Sequence, residues 1–342
     1  MVRPVMPRHP ELHDRFPAPA ATVPYLPLGQ APTPVRDLPD LVPGLSLWCK
    51  DESGYGHGGW GGNKVRKLEW LLPEAQRRGA RTLLTVGGLG TNWGLATALY
   101  AREQGLATAL ALIDQPVDDH VRAQLVRLRR SGATLHFTRT KLRTMAAAPW
   151  LFLRHTTAGR PPHYLPAGGS TPVGTLGYVE AALELAAQIA AGSLPEPSHV
   201  ITAVGSGGTA AGLVLGLRLA GLRTRVVGVV VNDTLRLDPP TVAGLAHRTV
   251  RLLRSRGADL PPIRIGPEHL TLVRHWLGPG YGHPTPEALR AQHLADEATS
   301  LRLEPVYTAK AMAALLALAA DGRLGTGPAL FLHTHGPRPA HP

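Results

Sequence analysis

A chain of 342 residues, 44% apolar and 18% charged, has the balance of a folded protein and enough length for two domains with a sizeable core. No stretch approaches the roughly 18 consecutive apolar residues of a membrane span, and the opening MVRPVMPRHP lacks the apolar run of a secretory signal. The formal charge of +12 comes from 31 Arg and only five Lys, scattered with no basic run interleaved with aromatics, which argues against a nucleic-acid partner and for anionic ligands. The lone cysteine, Cys49, can form no internal disulfide, so a reducing, cytoplasmic location is expected.

Residues 1–44 are rich in proline and read as an extended arm laid on a larger domain. From residue 45, strand-length apolar runs alternate with helical periodicity. The runs LSLW, RTLLTV, ATALALI, TLHF, HVITAV, RVVGVVV and ALFLH predict strands, and helices are predicted over 64–78, 91–103, 118–130, 176–191, 209–219, 287–301 and 309–320. This alternation predicts an α/β fold of open, mostly parallel sheets with helices on both faces. The expected organisation is an arm over 1–44 packed on a large domain made of 45–76 and 167–336, a small domain over 77–166, and a frayed tail at 337–342. Pro161, Pro162, Pro166, Gly168 and Gly169 mark the crossing between the domains, whose cleft is the expected ligand site.

Three glycine-rich turns carry the chemistry. In HVITAVGSGGTAAGL, residues 199–213, Gly205, Gly207 and Gly208 would let backbone N–H groups approach a phosphate, with Ser206, Thr209 and the helix N-terminus adding donors. A plain strand-to-helix turn would read the same way. In KDESGYGHGGWGGNKVRKLEW, residues 50–70, glycines precede Asn63 and Lys64 at a helix start, where the positive end of the dipole and burial would lower an ammonium pKa and make the lysine an imine-forming nucleophile. In TVGGLGTNWGLAT, residues 85–97, the N–H groups of the turn, Gly90 to Gly94, could hold a second anion such as a substrate carboxylate; a Gly-rich entry to an amphipathic helix would read the same way. Two anion sites and an imine-forming lysine suit an amino-acid substrate with an aldehyde phosphate, which describes pyridoxal 5'-phosphate. The 16 histidines show no metal-site spacing, and no metal is expected.

The motifs GGNKVRKLEW, YLPAGGSTPVGTLGY, VGSGGTAAGL, GPGYGHP and LEPVYTAKAM, spread in order over about residues 46–336, resemble the fold-type II pyridoxal-phosphate enzymes of the 1-aminocyclopropane-1-carboxylate deaminase and D-cysteine desulfhydrase group. The resemblance implies a two-domain fold like the tryptophan synthase beta subunit, with the cofactor in the large domain, and relatives are commonly homodimers. It makes Lys64 the cofactor lysine and Lys67 a structural residue. Asn63, Asn92, Gly205, Ser206, Gly207, Gly208, Thr209 and Thr308 become the cofactor-binding set, Asn92 toward the ring hydroxyl and Thr308 toward the pyridine nitrogen. Tyr281, Tyr307 and Thr91 join Lys64 as catalytic candidates, while Gly90, Thr91, Asn92, Trp93 and Gly94 bind a small amino acid.

A hydroxyl at Thr308, where family deaminases place a carboxylate, favours desulfhydrase-like α,β-elimination over cyclopropane opening. The alternative for Thr308 is an ordinary helix N-cap. Three substitutions depart from the family pattern: Thr91 for serine, Trp93 for a polar residue, and His335 for glycine. Trp93 would narrow the pocket or pack beneath the cofactor domain, and His335 has a surface histidine as its bland reading. The readings carried forward are a D-cysteine desulfhydrase-like lyase, a 1-aminocyclopropane-1-carboxylate deaminase, and a pyridoxal-phosphate-binding protein that has lost catalysis.

Overall fold

The computed structural model describes residues 9–337; the first eight residues of the expected arm and residues 338–342 of the expected tail lie outside the described residues. The strands among the described residues are β1 Val35–Asp37, β2 Leu47–Asp51, β3 Gly61–Gly62, β4 Thr82–Gly88, β5 Ala107–Ile113, β6 Thr134–Arg139, β7 His163–Leu165, β8 His199–Val204, β9 Arg225–Val230, β10 Leu270–Val273, β11 Ala329–His333 and β12 His335–Gly336. The α-helices are α1 Glu11–Arg15, α2 Asn63–Arg77, α3 Asn92–Glu103, α4 Asp119–Arg130, α5 Lys141–Arg154, α6 Pro172–Ala190, α7 Gly208–Leu219, α8 Pro239–Ser255, α9 Pro286–Thr299 and α10 Thr308–Ala320.

One sheet has the order β1-β2-β11-β8-β9-β10 and is parallel except at the β1 edge, and a second, all parallel, has the order β6-β5-β4-β7. Period-two alternation explains why helices cover both faces of the larger sheet. Val200, Val204, Val226 and Val230 pack with α6, α7 and α8, while Ile201, Ala203, Val227 and Val229 pack with α9 and α10. In the smaller sheet Leu83, Leu110 and Leu112 face α2 and α3, and Leu84, Ala109 and Ala111 face Leu151 of α5. The expected α/β class, with open, mostly parallel sheets between helices, is the fold observed.

Helices α1, α5 and α8 and the short strands β1, β3, β7, β10 and β12 escape the sequence reading. Helix α5 contains Pro149, and α8 starts on Pro239 and Pro240 after its cap Asp238, whose carboxylate accepts from the Thr241 N–H at 2.8 Å. The N-terminal residues are not simply extended: α1 docks by donating its Glu11 and Leu12 N–H groups to Glu180, and β1 extends the larger sheet. Helix α2 is fixed by an enclosed charge cluster in which Arg66 donates to Glu52 and Glu184 and Lys50 donates to Glu184 at 2.6 Å. Each of these charges is desolvated, and each has an opposite partner.

Candidate active site

The two sheets flank a cavity of about 960 Å³. Carboxyl ends of parallel strands open onto it, with Gly87 and Gly88 from β4 and Val204 from β8 among the lining residues, as expected for ligand clefts in α/β folds.

Gly62 begins the lysine-bearing helix with a φ of 85°, a left-handed conformation, and a Cβ there would lie 2.5 Å from the Thr334 carbonyl. Pairing of β3 with β12 sets this entry, and α2 then carries Lys64 and Lys67 into the cavity. Burial lowers the Lys64 pKa to about 8, partly opposed by the carboxylate of Glu304. Lys64 Nζ stands 5.5 Å from the centre of the Tyr307 ring, and the Tyr307 hydroxyl donates to that of Tyr281 at 3.1 Å. Burial raises both phenol pKa values and keeps these groups protonated.

The phosphate-type loop lies on the same cavity. Gly207 has a φ of 87° and turns the chain from β8 into α7. A Cβ at Gly208 would meet Ser170 Oγ at 2.7 Å and Lys67 Nζ at 3.0 Å, and one at Gly205 would meet the Tyr307 ring at 2.7 Å. Ser170 Oγ accepts from the Gly208 N–H at 3.0 Å and lies 2.8 Å from Ser206 Oγ. Lys67 Nζ donates to the Gly168 carbonyl at 3.0 Å, and its pKa falls to about 7 through burial and the nearby Lys64 charge. Asn63 Nδ2 donates to Thr209 Oγ1 at 3.4 Å, whereas its buried Oδ1 has no partner. Hydroxyls, first-turn N–H groups, a lysine ammonium and a loop in which side chains would clash form a donor set for a phosphate dianion, with an imine-capable lysine nearby. These residues fit pyridoxal phosphate.

The second cradle is narrower than Gly90 to Gly94. The Gly90 N–H donates to Gln115 Oε1 at 3.1 Å, the Thr91 N–H to the Gly88 carbonyl at 3.0 Å, and the Gly94 N–H to Thr91 Oγ1 at 3.0 Å. Thr91 is thus the N-cap of α3, which leaves Asn92 and Trp93 to offer first-turn N–H groups. Asn92 Oδ1 accepts from Gln124 Nε2 at 2.6 Å, so its own amide group is the part left to donate. Trp93 is buried, and its Nε1 donates to Thr85 Oγ1 at 2.8 Å, which in turn donates to the Leu165 carbonyl at 2.7 Å. It belongs to the apolar cluster shared with α2 and α3 and also lines the cavity.

Thr308 is buried outside the cavity lining, and its hydroxyl accepts from the Glu304 N–H at 2.7 Å. It is the first residue of α10 and not its cap, a position held by Tyr307; the Glu304 carboxylate accepts from the N–H groups of Val306 and Tyr307 just ahead of the helix, at 2.8 and 2.9 Å. His335 is no surface residue. It is half-buried on β12 beside Trp60 and His120, and burial with the nearby His333 and Lys64 lowers its pKa to about 3, leaving it neutral.

Three residues of the site were not assigned a site role from sequence: Ser170, Lys67 and Glu304. Ser170 lies in the matched stretch YLPAGGSTPVGTLGY, and Lys67 is one helical turn from Lys64, facing the same way. Glu304 carried a readable signal, a carboxylate just ahead of a helical run.

The family model described as pyridoxal-phosphate dependent enzyme matches residues 26–335. D-cysteine desulfhydrase of Klebsiella pneumoniae (strain 342) is 35% identical over 322 residues, covering 92% of this chain and 94% of that protein. The corresponding protein of Salmonella paratyphi A is 34% identical with the same coverage. A crystal structure described as an ACC deaminase homologue superposes with a TM-score of 0.79 at 30% identity, covering 96% of this chain and 95% of that one. A threonine deaminase from T.th. shares the fold with a TM-score of 0.62 at 23% identity, over 91% and 94% of the two chains.

Proposed function

The chain belongs to the pyridoxal-phosphate dependent enzyme family, and from that premise we propose that it is a D-cysteine desulfhydrase-like lyase that converts a small β-thiol amino acid to a keto acid, ammonia and sulfide. The observation that carries this reading is that Lys64, with its lowered pKa, shares one cavity with the phosphate-type loop and the Tyr281–Tyr307 pair, 5.5 Å from the Tyr307 ring centre.

Gly205, Ser206, Gly207, Thr209, Ser170 and Lys67, which line the cavity, together with the Gly208 N–H, would hold the phosphate, and Lys64 would be the covalent attachment point. Bound there, pyridoxal phosphate supplies an aldehyde for the substrate amine and a conjugated ring that delocalises the electrons left when a Cα proton departs. The N–H groups of Asn92 and Trp93 hold the substrate carboxylate. Lys64, as a neutral amine, takes the Cα proton. As the Cα–H and Cβ–S bonds break and a Cα=Cβ bond forms, Tyr281 gives its proton to the departing sulfur. Water then hydrolyses the enamine product to keto acid and ammonia. Thr308 belongs to this reading through its neighbour: its hydroxyl supports the Glu304 segment that leads to Tyr307.

A second reading, opening of 1-aminocyclopropane-1-carboxylate, has its support in the likeness to the solved ACC deaminase homologue. Supplying D-cysteine, L-cysteine, D-serine and the cyclopropane acid separately and assaying sulfide and keto acid separates the two. Sulfide from D-cysteine is expected; turnover of the cyclopropane acid alone would overturn the assignment. Homodimer formation and a cytoplasmic location are part of the same reading, and sedimentation of the purified chain tests the first. Among the described residues no helix is long and apolar enough to cross a membrane.

A further inference from the structure

The cavity continues past the carboxylate cradle along the carboxyl edge of the smaller sheet. Gly88 of β4 is in register with Ile113 of β5, and Ile113 with Arg139 of β6. Arg139 therefore lies two strand spacings, about 10 Å, from the turn that follows Gly88.

Two irregularities coincide on this arginine. Its φ is 67°, one of three positive values at non-glycine positions among the described residues, where a side chain's Cβ crowds the backbone. The β5–β6 register also slips immediately before it, so that Thr138 is an extra residue in the ladder. A bulge of this kind re-aims a side chain, and backbone strain held in a folded protein marks positions where geometry serves a site. Arg139 lines the cavity, as does Lys141 at the start of α5. Among the described residues neither has a carboxylate within ion-pairing distance, in contrast to Arg236 of the same lining, which pairs with Asp238 at 2.6 Å. Asp114 is the one acidic residue among the described residues of the lining. The lining beside the two cations includes the apolar Ala111, Ile113 and Met145 as well as the hydroxyls of Thr140 and Thr144.

We propose that Arg139, seconded by Lys141, selects amino-acid substrates whose side chain runs several apolar atoms from sulfur to a second anionic group. The inference rests on the elimination reading above and narrows its substrate class. The same bonds form and break, with a carboxyalkyl thiolate leaving in place of hydrosulfide.

The test uses the purified holoprotein with D-cysteine, S-carboxyethyl- and S-carboxypropyl-D-cysteine, and neutral S-alkyl-D-cysteines of matching length, following keto acid. Arg139 and Lys141 are exposed, so the charged chains are expected to exceed their neutral counterparts about 2- to 5-fold in kcat/KM, mainly through KM, the scale of a solvent-screened ion pair. Arg139→Gly should erase that ratio and raise the melting temperature, because glycine accepts the left-handed backbone without strain; Arg139→Lys should keep part of the ratio. Equal kcat/KM for charged and neutral chains, or a preference that survives in the Arg139→Gly, Lys141→Gln double variant, would overturn the proposal. Failure to release keto acid from any compound, D-cysteine included, would count against the elimination reading. Calorimetric binding of the same charged and neutral pairs would then still decide the role of Arg139, by the same ratio.

Discussion

The hydroxyl of Tyr307 donates to that of Tyr281 across 3.1 Å, which leaves the Tyr281 proton as the one available to a leaving group. The order of the pair gives the two phenols different duties. Tyr281→Phe is expected to lower kcat by roughly 10²- to 10⁴-fold, the range of a lost general acid, with cofactor binding retained. Tyr307→Phe removes only a supporting hydrogen bond and should cost about tenfold or less. Steady-state kinetics with visible-range spectra of each variant check both.

Cofactor loading should follow the Lys64 amine. With its pKa lowered to about 8 by burial, the neutral, nucleophilic form grows as pH rises and saturates above about 8, whereas an ordinary lysine would continue to gain until about pH 10.4. The rate at which cofactor-free protein reacts with pyridoxal phosphate should therefore climb about tenfold per pH unit below 8 and then level off. The Glu304 carboxylate favours the ammonium form, so Glu304→Gln should move the midpoint to lower pH. Stopped-flow absorbance at a series of pH values measures both midpoints.

Lys67 belongs to the phosphate end of the site by its position, 3.0 Å from where a Cβ on Gly208 would stand. Lys67→Met is expected to weaken pyridoxal phosphate binding by roughly 10- to 100-fold, the loss of one charge-assisted contact. Pyridoxal without its phosphate should lose much less. Equilibrium dialysis of the two vitamers gives the comparison, and equal losses would remove Lys67 from the phosphate site.

Trp93 contributes stability through a chain of bonds that ends on the sheet, from its Nε1 through Thr85 to the Leu165 carbonyl. Trp93→Phe should cost about 1–2 kcal/mol for the lost bond and unfilled volume, and Trp93→Ala about 3–5 kcal/mol, since the large ring is buried. Urea denaturation monitored by circular dichroism tests the order.

Much of the fold was legible because buried parallel strands are unbroken apolar runs. Ala107–Ile113, His199–Val204 and Ala329–His333 match the residue runs read from sequence. Helix α5 was not legible, because Pro149 interrupts its pattern and Leu142, Met145 and Leu153 are exposed, which blurs the apolar face. Helix α8 was readable in principle, from an Asp cap followed by proline at the first turn. At the site, glycine spacing marked the loops and the lysine, which depend on local chain geometry. The duties of Thr91, Glu304 and Lys67 depend on which hydroxyl, N–H or carbonyl lies across from each in space. The partners of Thr91 and Glu304 lie only two to four residues away, whereas Lys67 meets the Gly168 carbonyl 101 residues later.

Borohydride reduction of the holoprotein, followed by proteolysis and peptide mapping, tests the attachment of the cofactor most directly. The pyridoxyl label is expected on the residue 64 side chain of the peptide containing GGNKVRK, at one label per chain. A label on Lys67 or any other lysine, or a protein that takes up no label, would contradict the account.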